Sequence, residues 1–280
     1  MCQARRCDIR VRLSALVMAG ISLFCVACNP AGRRADQLAR SGALTSRILQ
    51  GADFQHQLYA RLEATGDTLL VFIDGDGIVY TNGGTAVSSD PTPHRALALE
   101  LAAETPGPVV YIGRPCSFSV RADPACSPDV WTSSRYSAAV ATSMANAVAR
   151  YAGERFQRLV LVGYSGGGTL AVLMAAQLGR PAAVITIAAN LDTDAWTQWH
   201  GYLPLTGSLN PSDMSPLPSG IPQWHLVGDR DTNTPARLND RYWAGVAPDR
   251  IWHYAQFDHV CCWAEHWPAI FARIQAELGP

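Results

Sequence analysis

The chain has 280 residues, 48% hydrophobic and 16% charged, with a formal net charge of -1. That is enough apolar chain for one large domain with a core, and the absence of a basic stripe argues against a nucleic-acid partner. All 22 Lys+Arg positions are arginine, which excludes a Schiff-base lysine, a pyridoxal-phosphate anchor and a Walker A lysine.

The first 27 residues read as a secretory signal. Arg5, Arg6, Arg10 and Arg12 make a positive start, and Leu13 to Ala27 an apolar stretch that is short for a permanent span. A signal anchor is the alternative. The end of the stretch, Cys25-Val26-Ala27-Cys28, resembles a bacterial lipobox. The resemblance implies that Cys28 becomes a lipidated first residue, leaving the protein membrane-anchored and facing the periplasm. Cys25 stands where leucine is usual. Asn29 is not the aspartate that retains lipoproteins at the inner membrane, which favours the outer one. Residues 28–50 read as a tether with a short helix from Arg34 to Gln50, and 51–280 as the folded domain.

Within that domain, LLVFIDGDG (69–77) reads as a buried strand ending in a turn, HRALALELAAE (94–104) as a helix and PVVYIGRP (108–115) as a second strand. Residues 135–153 have helical spacing, stopped by Gly153. RLVLVGYSGGG (158–168) reads as a strand, 169–179 as a helix and 182–190 as a strand. Two more strands are expected at 222–231 and 250–259, and a last helix at 268–278. Short, continuous, apolar strands are buried on both faces. Alternating with helices, they make a parallel sheet with right-handed crossovers, an α/β fold.

Four cysteines follow Cys28. In an oxidising compartment an even set suggests disulfides. Cys116 and Cys126 flank a short loop, where a bridge stabilises by about 3 kcal/mol. Cys261 and Cys262 have three fates: a vicinal pair, free thiols or pairing elsewhere. Zinc with His266 has no standard ligand spacing behind it.

Gly163-Tyr164-Ser165-Gly166-Gly167 places G-x-S-x-G between a strand and a helix. The sharp reversal strains Ser165, and side chains at 163 and 167 would collide with the neighbouring strand and helix. The helix N-terminus that follows attracts negative charge. On this elbow, the strand–helix alternation and the order of acid and histidine, the sequence resembles the α/β-hydrolase superfamily over most of the chain; the segment GRPCSFSVRADPACSPDVWTSSRYS (113–137), beyond a strand end, resembles a group of proteobacterial hydrolases. The likeness implies a mainly parallel central sheet with helices on both faces, a lid or cap insertion at about 190–221, and Ser165 as nucleophile. The bland alternative is a glycine-rich ligand turn on another α/β fold.

A serine hydroxyl needs a base held by an acid. The resemblance implies Asp231, in Gly228-Asp229-Arg230-Asp231, as the acid, with Asp229 as the alternative. It implies His259, after the last strand, as the base, with His266 as the rival. His253 and His225 fall inside strands. The oxyanion needs fixed donors: the Gly166 amide is expected as one, and the likeness of Ile73-Asp74-Gly75-Asp76-Gly77 to the family's loop after an early strand makes the Asp76 amide the candidate for the other. Asp74 replaces the family's usual histidine. The two carboxylates also suggest a cation loop, without the rest of an EF-hand pattern, or Asp74 bracing the loop through backbone hydrogen bonds.

Tyr164, Trp196, Trp199 and His200, with Tyr202, are expected around an acyl substrate; loop packing is the plainer reading of each. Trp131 and Arg135 either bind substrate or anchor the next helix. The function implied is hydrolysis of a carboxylic ester or related acyl bond through an acyl-enzyme. The partners expected are a small acyl substrate and the membrane under Cys28, with no cofactor, metal or nucleic acid. A non-catalytic envelope-binding lipoprotein and an acyltransferase are the alternatives.

Overall fold

A computed structural model describes residues 30–61 and 64–278. The signal and Cys28 lie outside the described residues. In chain order the elements are α1 (Pro30–Ser41), β1 (Thr45–Gln50), β2 (Gln55–Ala60), β3 (Thr68–Ile73), a hairpin of β4 (Tyr80–Thr81) and β5 (Ala86–Val87), α2 (Leu97–Glu104), β6 (Val109–Ile112), α3 (Ala138–Ala152), β7 (Arg158–Tyr164), α4 (Gly166–Ala175), β8 (Pro181–Ile187), α5 (Thr193–His200), β9 (Gln223–Gly228), α6 (Asp240–Trp243), β10 (Ile251–Tyr254) and α7 (Trp263–Leu278).

Among the described residues, eight strands form one sheet in the order β1-β2-β6-β3-β7-β8-β9-β10. β2 runs antiparallel to both neighbours, and every pair from β6 to β10 is parallel. The alternation along each strand divides the core. Leu70 and Phe72 of β3 face one layer, where Leu97, Leu101, Trp263 and Trp267 of α2 and α7 pack. Leu69, Val71 and Ile73 face the other, against Val140, Met144, Leu170 and Leu173 of α3 and α4. Each such side chain contributes about 1.5–3 kcal/mol relative to exposure. With both faces covered, β3 and β7 need no polar face, which is why their sequences are continuously apolar.

The N-terminal reading needs correction. Residues 30–50 are part of the domain rather than a tether. α1 starts at Pro30 and buries Ala31, Ala35 and Ala39, one face at helical spacing. It ends at Ser41, and Ala43 takes a positive φ of 55°, so the chain cannot continue as a helix to Gln50. It turns instead into β1, paired antiparallel with β2. At the other end α7 begins at Trp263 rather than Pro268. Burial of the Trp263 and Trp267 indoles, 0% and 1% exposed, holds Pro268 inside the helix despite its missing N–H.

The insertion after β8 is not wholly irregular, since it contains α5. Asp192 caps that helix, accepting from the Ala195 amide at 3.2 Å.

Candidate active site

β7 ends at Tyr164, and the chain reverses at Ser165 with φ 52° and ψ -125° before α4. The strain is held by the Ser165 amide donating to Ile187 O at 2.8 Å and Gly168 N donating to Ser165 O at 2.9 Å. A Cβ on Gly163 would overlap the Gly167 carbonyl, and one on Gly167 the Ile73 carbonyl. The elbow therefore requires glycine on both sides of the serine.

Three side chains distant in sequence meet at this edge of the sheet. His259 Nε2 lies 3.1 Å from Ser165 Oγ. His259 Nδ1 lies 2.8 Å from Asp231 Oδ2. The Asp231 side chain is fully buried and that of His259 largely so. Asp231 is also fixed by Asn233 N and Thr234 N, each 2.8 Å from Oδ1, and by Thr234 Oγ1, 2.8 Å from Oδ2. Burial alone would raise its carboxyl, but hydrogen bonding and charge from His259, with the Thr234 bonds, hold it below the usual carboxylate range. The rivals lie elsewhere. Asp229 accepts from His253 Nδ1 at 2.7 Å on the surface, and His266 Nδ1 is bound to Cys262 O at 3.0 Å.

Gly166 opens α4, and its amide lies at the positive end of that helix. Across from it, Gly75 comes close enough to Ser165 that a Cβ there would be 3.2 Å from Ser165 Cβ. Among the described residues neither the Gly166 nor the Asp76 amide donates a hydrogen bond. The Asp76 side chain reaches to Gly166, where a Cβ would overlap its Oδ1 and the Tyr136 hydroxyl. Its carboxylate is enclosed by cations. Arg114 Nη1 pairs with Oδ1, Arg135 Nη1 donates to Oδ2 at 2.8 Å, and Tyr136 OH lies 2.7 and 2.8 Å from the two oxygens. Burial works against its charge, but the arginines bring its carboxyl well below the usual range.

Asp74 is not part of a shared cation loop. Its Oδ1 accepts from the Gly75 and Ala98 amides, each at 3.3 Å, bracing the turn and the start of α2. Burial pushes its carboxyl up to about 7.

The relay opens into a cleft of about 1280 Å³. Tyr164, Trp196 and Tyr202 line it; Tyr164 also packs on His259, ring centroids 5.3 Å apart. Trp199 and His200 do not line it. Trp199 is 54% exposed, with Arg237 4.2 Å from its ring. His200 Nε2 turns instead to Asn233 O at 2.8 Å and stacks on Tyr202. On successive positions of α5 only part of the helix surface faces the cleft, so an aromatic-rich segment does not put every ring there. Arg135 lines the cleft but is committed to Asp76, whereas Trp131 anchors its loop, donating to Ser88 O at 3.1 Å.

The Cys116 and Cys126 sulfurs lie within bonding distance, with Cα atoms 5.6 Å apart. The Cys261 and Cys262 sulfurs do too, beside the loop that carries His259.

Neither a protein-family model nor a curated protein matches the chain. Solved structures do. An esterase from Pyrococcus furiosus is similar with a TM-score of 0.55 at 11% identity, over 85% of this chain and 91% of that one. A bacterial membrane phospholipase A gives 0.55 at 16% identity, over 88% and 91%. The chain has the α/β-hydrolase fold. A carboxylesterase from Bacillus subtilis gives 0.50 at 11% identity, over 88% and 97%.

In this α/β-hydrolase fold the elbow, acid turn and histidine loop follow β7, β9 and β10. Four polar residues at the site escaped the sequence reading. Arg114 and Tyr136 hold Asp76. Asn233 Nδ2 lies 2.9 Å from His259 Nε2. Buried Asn190 lines the cleft, and its side-chain amide has no protein partner among the described residues. The one local signal was DTNTP itself (231–235), where Asx and Thr side chains cap the acid turn.

Proposed function

We propose that the protein is a serine hydrolase that cleaves a carboxylic ester or related acyl bond. The observation that carries this reading is the continuous path from Ser165 Oγ to His259 Nε2 at 3.1 Å and from Nδ1 to Asp231 Oδ2 at 2.8 Å. Those distances fit proton transfer from the hydroxyl to the imidazole as Oγ attacks the acyl carbonyl. Asp231 keeps the proton on Nδ1 and balances the imidazolium. The amides of Gly166 and Asp76 receive the oxyanion. The C–O bond to the alcohol then breaks, and His259 returns its proton to the departing oxygen. Water, deprotonated by the same nitrogen, releases the acyl group. Esterases and a phospholipase A among the similar structures support an ester as the substrate class.

The lipobox-like end of the signal supports a diacylglyceryl anchor on Cys28 and a periplasm-facing domain, with Cys116–Cys126 and Cys261–Cys262 as disulfides there. Among the described residues no helix is long and apolar enough to cross a membrane. A lipid mass on the Cys28 peptide of envelope-purified protein is the expected result; an unmodified Cys28 contradicts the anchor.

Hydrolysis of short p-nitrophenyl esters by wild type and Ser165→Ala tests the chemistry. The variant should lose at least about 10³-fold in kcat. Equal rates would leave the protein a binding lipoprotein with a hydrolase fold.

A further inference from the structure

Asn233 touches the same nitrogen as the serine. Its Nδ2 lies 2.9 Å from His259 Nε2, beside Ser165 Oγ at 3.1 Å. Since Nδ1 faces the Asp231 carboxylate, the ring proton sits on Nδ1, and Nε2 offers a single lone pair. The amide must then present its N–H₂ to that lone pair, because the opposite orientation would set carbonyl oxygen against an unprotonated nitrogen. In the free protein the serine hydroxyl and the asparagine amide therefore share one acceptor.

The Asn233 backbone is pinned independently of its side chain. Its N–H donates to Asp231 Oδ1 at 2.8 Å. Its carbonyl accepts from Trp196 Nε1 at 3.0 Å and His200 Nε2 at 2.8 Å. The acid of the relay and the α5 aromatics thus aim one amide at the base, on the wall of the cleft.

Resting on the hydrolase reading, we propose that Asn233 is a catalytic residue that assists the leaving group. Once Nε2 takes the serine proton it no longer accepts, and the amide N–H is released. The departing oxygen must approach Nε2 to collect that proton, so it enters the reach of Asn233 Nδ2. As the Oγ–C bond persists and the C–O bond to the alcohol breaks, the electron pair goes to that oxygen. The proton reaches it from His259, and Asn233 gives a hydrogen bond without losing a proton. The gain is largest for an alkoxide, which carries the most charge on departure, and small for a phenolate stabilised by its own ring.

The test compares wild type and Asn233→Ala on esters of one acyl group with p-nitrophenol, phenol, trifluoroethanol and ethanol. The expected result is a fall in kcat of about tenfold or more on the ethyl ester, with p-nitrophenyl ester turnover nearly unchanged. Asn233→Leu keeps much of the shape without the N–H and without adding a charge. If Asn233→Ala melts early, Asn233→Leu should show the same leaving-group dependence. Equal losses on every ester, or none on any, overturn the assignment and leave the hydrolase reading standing. A wild type inert on all four overturns both.

Discussion

Asp74 and Asp76 stand two residues apart on one turn, yet the fold treats their carboxyls in opposite ways. Both are withdrawn from water, and burial raises both. Around Asp74 only two amides at 3.3 Å and the Tyr111 hydroxyl, with no cation, offset that, and its carboxyl rises to about 7. Around Asp76 two arginines and a tyrosine reverse the outcome and keep it ionised. The difference matters because Asp76 lies against Gly166, where the oxyanion is expected. A bare carboxylate about 5 Å from that oxyanion would cost roughly 3 kcal/mol at an effective dielectric of 20. Two arginines on one carboxylate turn the local charge positive. The oxyanion role proposed for the Asp76 amide is compatible with its side chain only because that carboxylate is neutralised by others, while Asp74 needs no such help to brace α2.

Removing one cation from Asp76 should have the largest effect. Arg135→Met leaves a largely buried ion cluster with a missing partner, and should cost about 3–5 kcal/mol of stability in urea unfolding at pH 7. A loss below about 1 kcal/mol would mean that Asp76 does not depend on the clamp. Asp74→Asn sharpens the contrast with a smaller effect. A carboxyl raised in the folded state binds more protons there than in the unfolded chain. Its favourable contribution is full below the unfolded value near 4 and is lost as pH rises towards about 7. The slope is at most about 1.4 kcal/mol per pH unit. The Asn variant, which keeps an acceptor for Gly75 and Ala98, should be flatter than wild type over that window and roughly 1–2 kcal/mol more stable above it. Parallel curves of unfolding midpoint against pH would contradict the raised carboxyl.

The same pair explains what could be read in advance. That Ser165, Asp231 and His259 meet could be expected in advance for different reasons: the glycines around Ser165 carry a steric pattern of their own, whereas Asp231 and His259 followed from the family resemblance, in the turns beyond β9 and β10. The backbone role expected of Asp76 came from its place in a turn. Its arginines did not, since Arg114 and Arg135 lie 38 and 59 residues away and meet it only through the fold. Asn233 was hidden differently: DTNTP reads as turn chemistry, and nothing local distinguishes an amide that caps a turn from one aimed at an imidazole. β1 and β2 escaped because an edge pair need not look apolar. β1 is mostly exposed, and β2 carries buried His56 and Gln57, the histidine satisfied by Gly113 O at 3.1 Å and Ser143 Oγ at 2.9 Å. Trp199 was overestimated because composition shows that α5 is aromatic, not which way each ring points.

A fluorophosphonate needs an activated serine and a site for a charged oxygen. Intact-mass analysis and peptide mapping after exposure to such a probe should find one adduct, on Ser165 of wild type, with labelling slowed at least about a hundredfold in His259→Ala. Wild type that stays unlabelled while folded, or labelling that ignores the loss of the imidazole, would contradict the account.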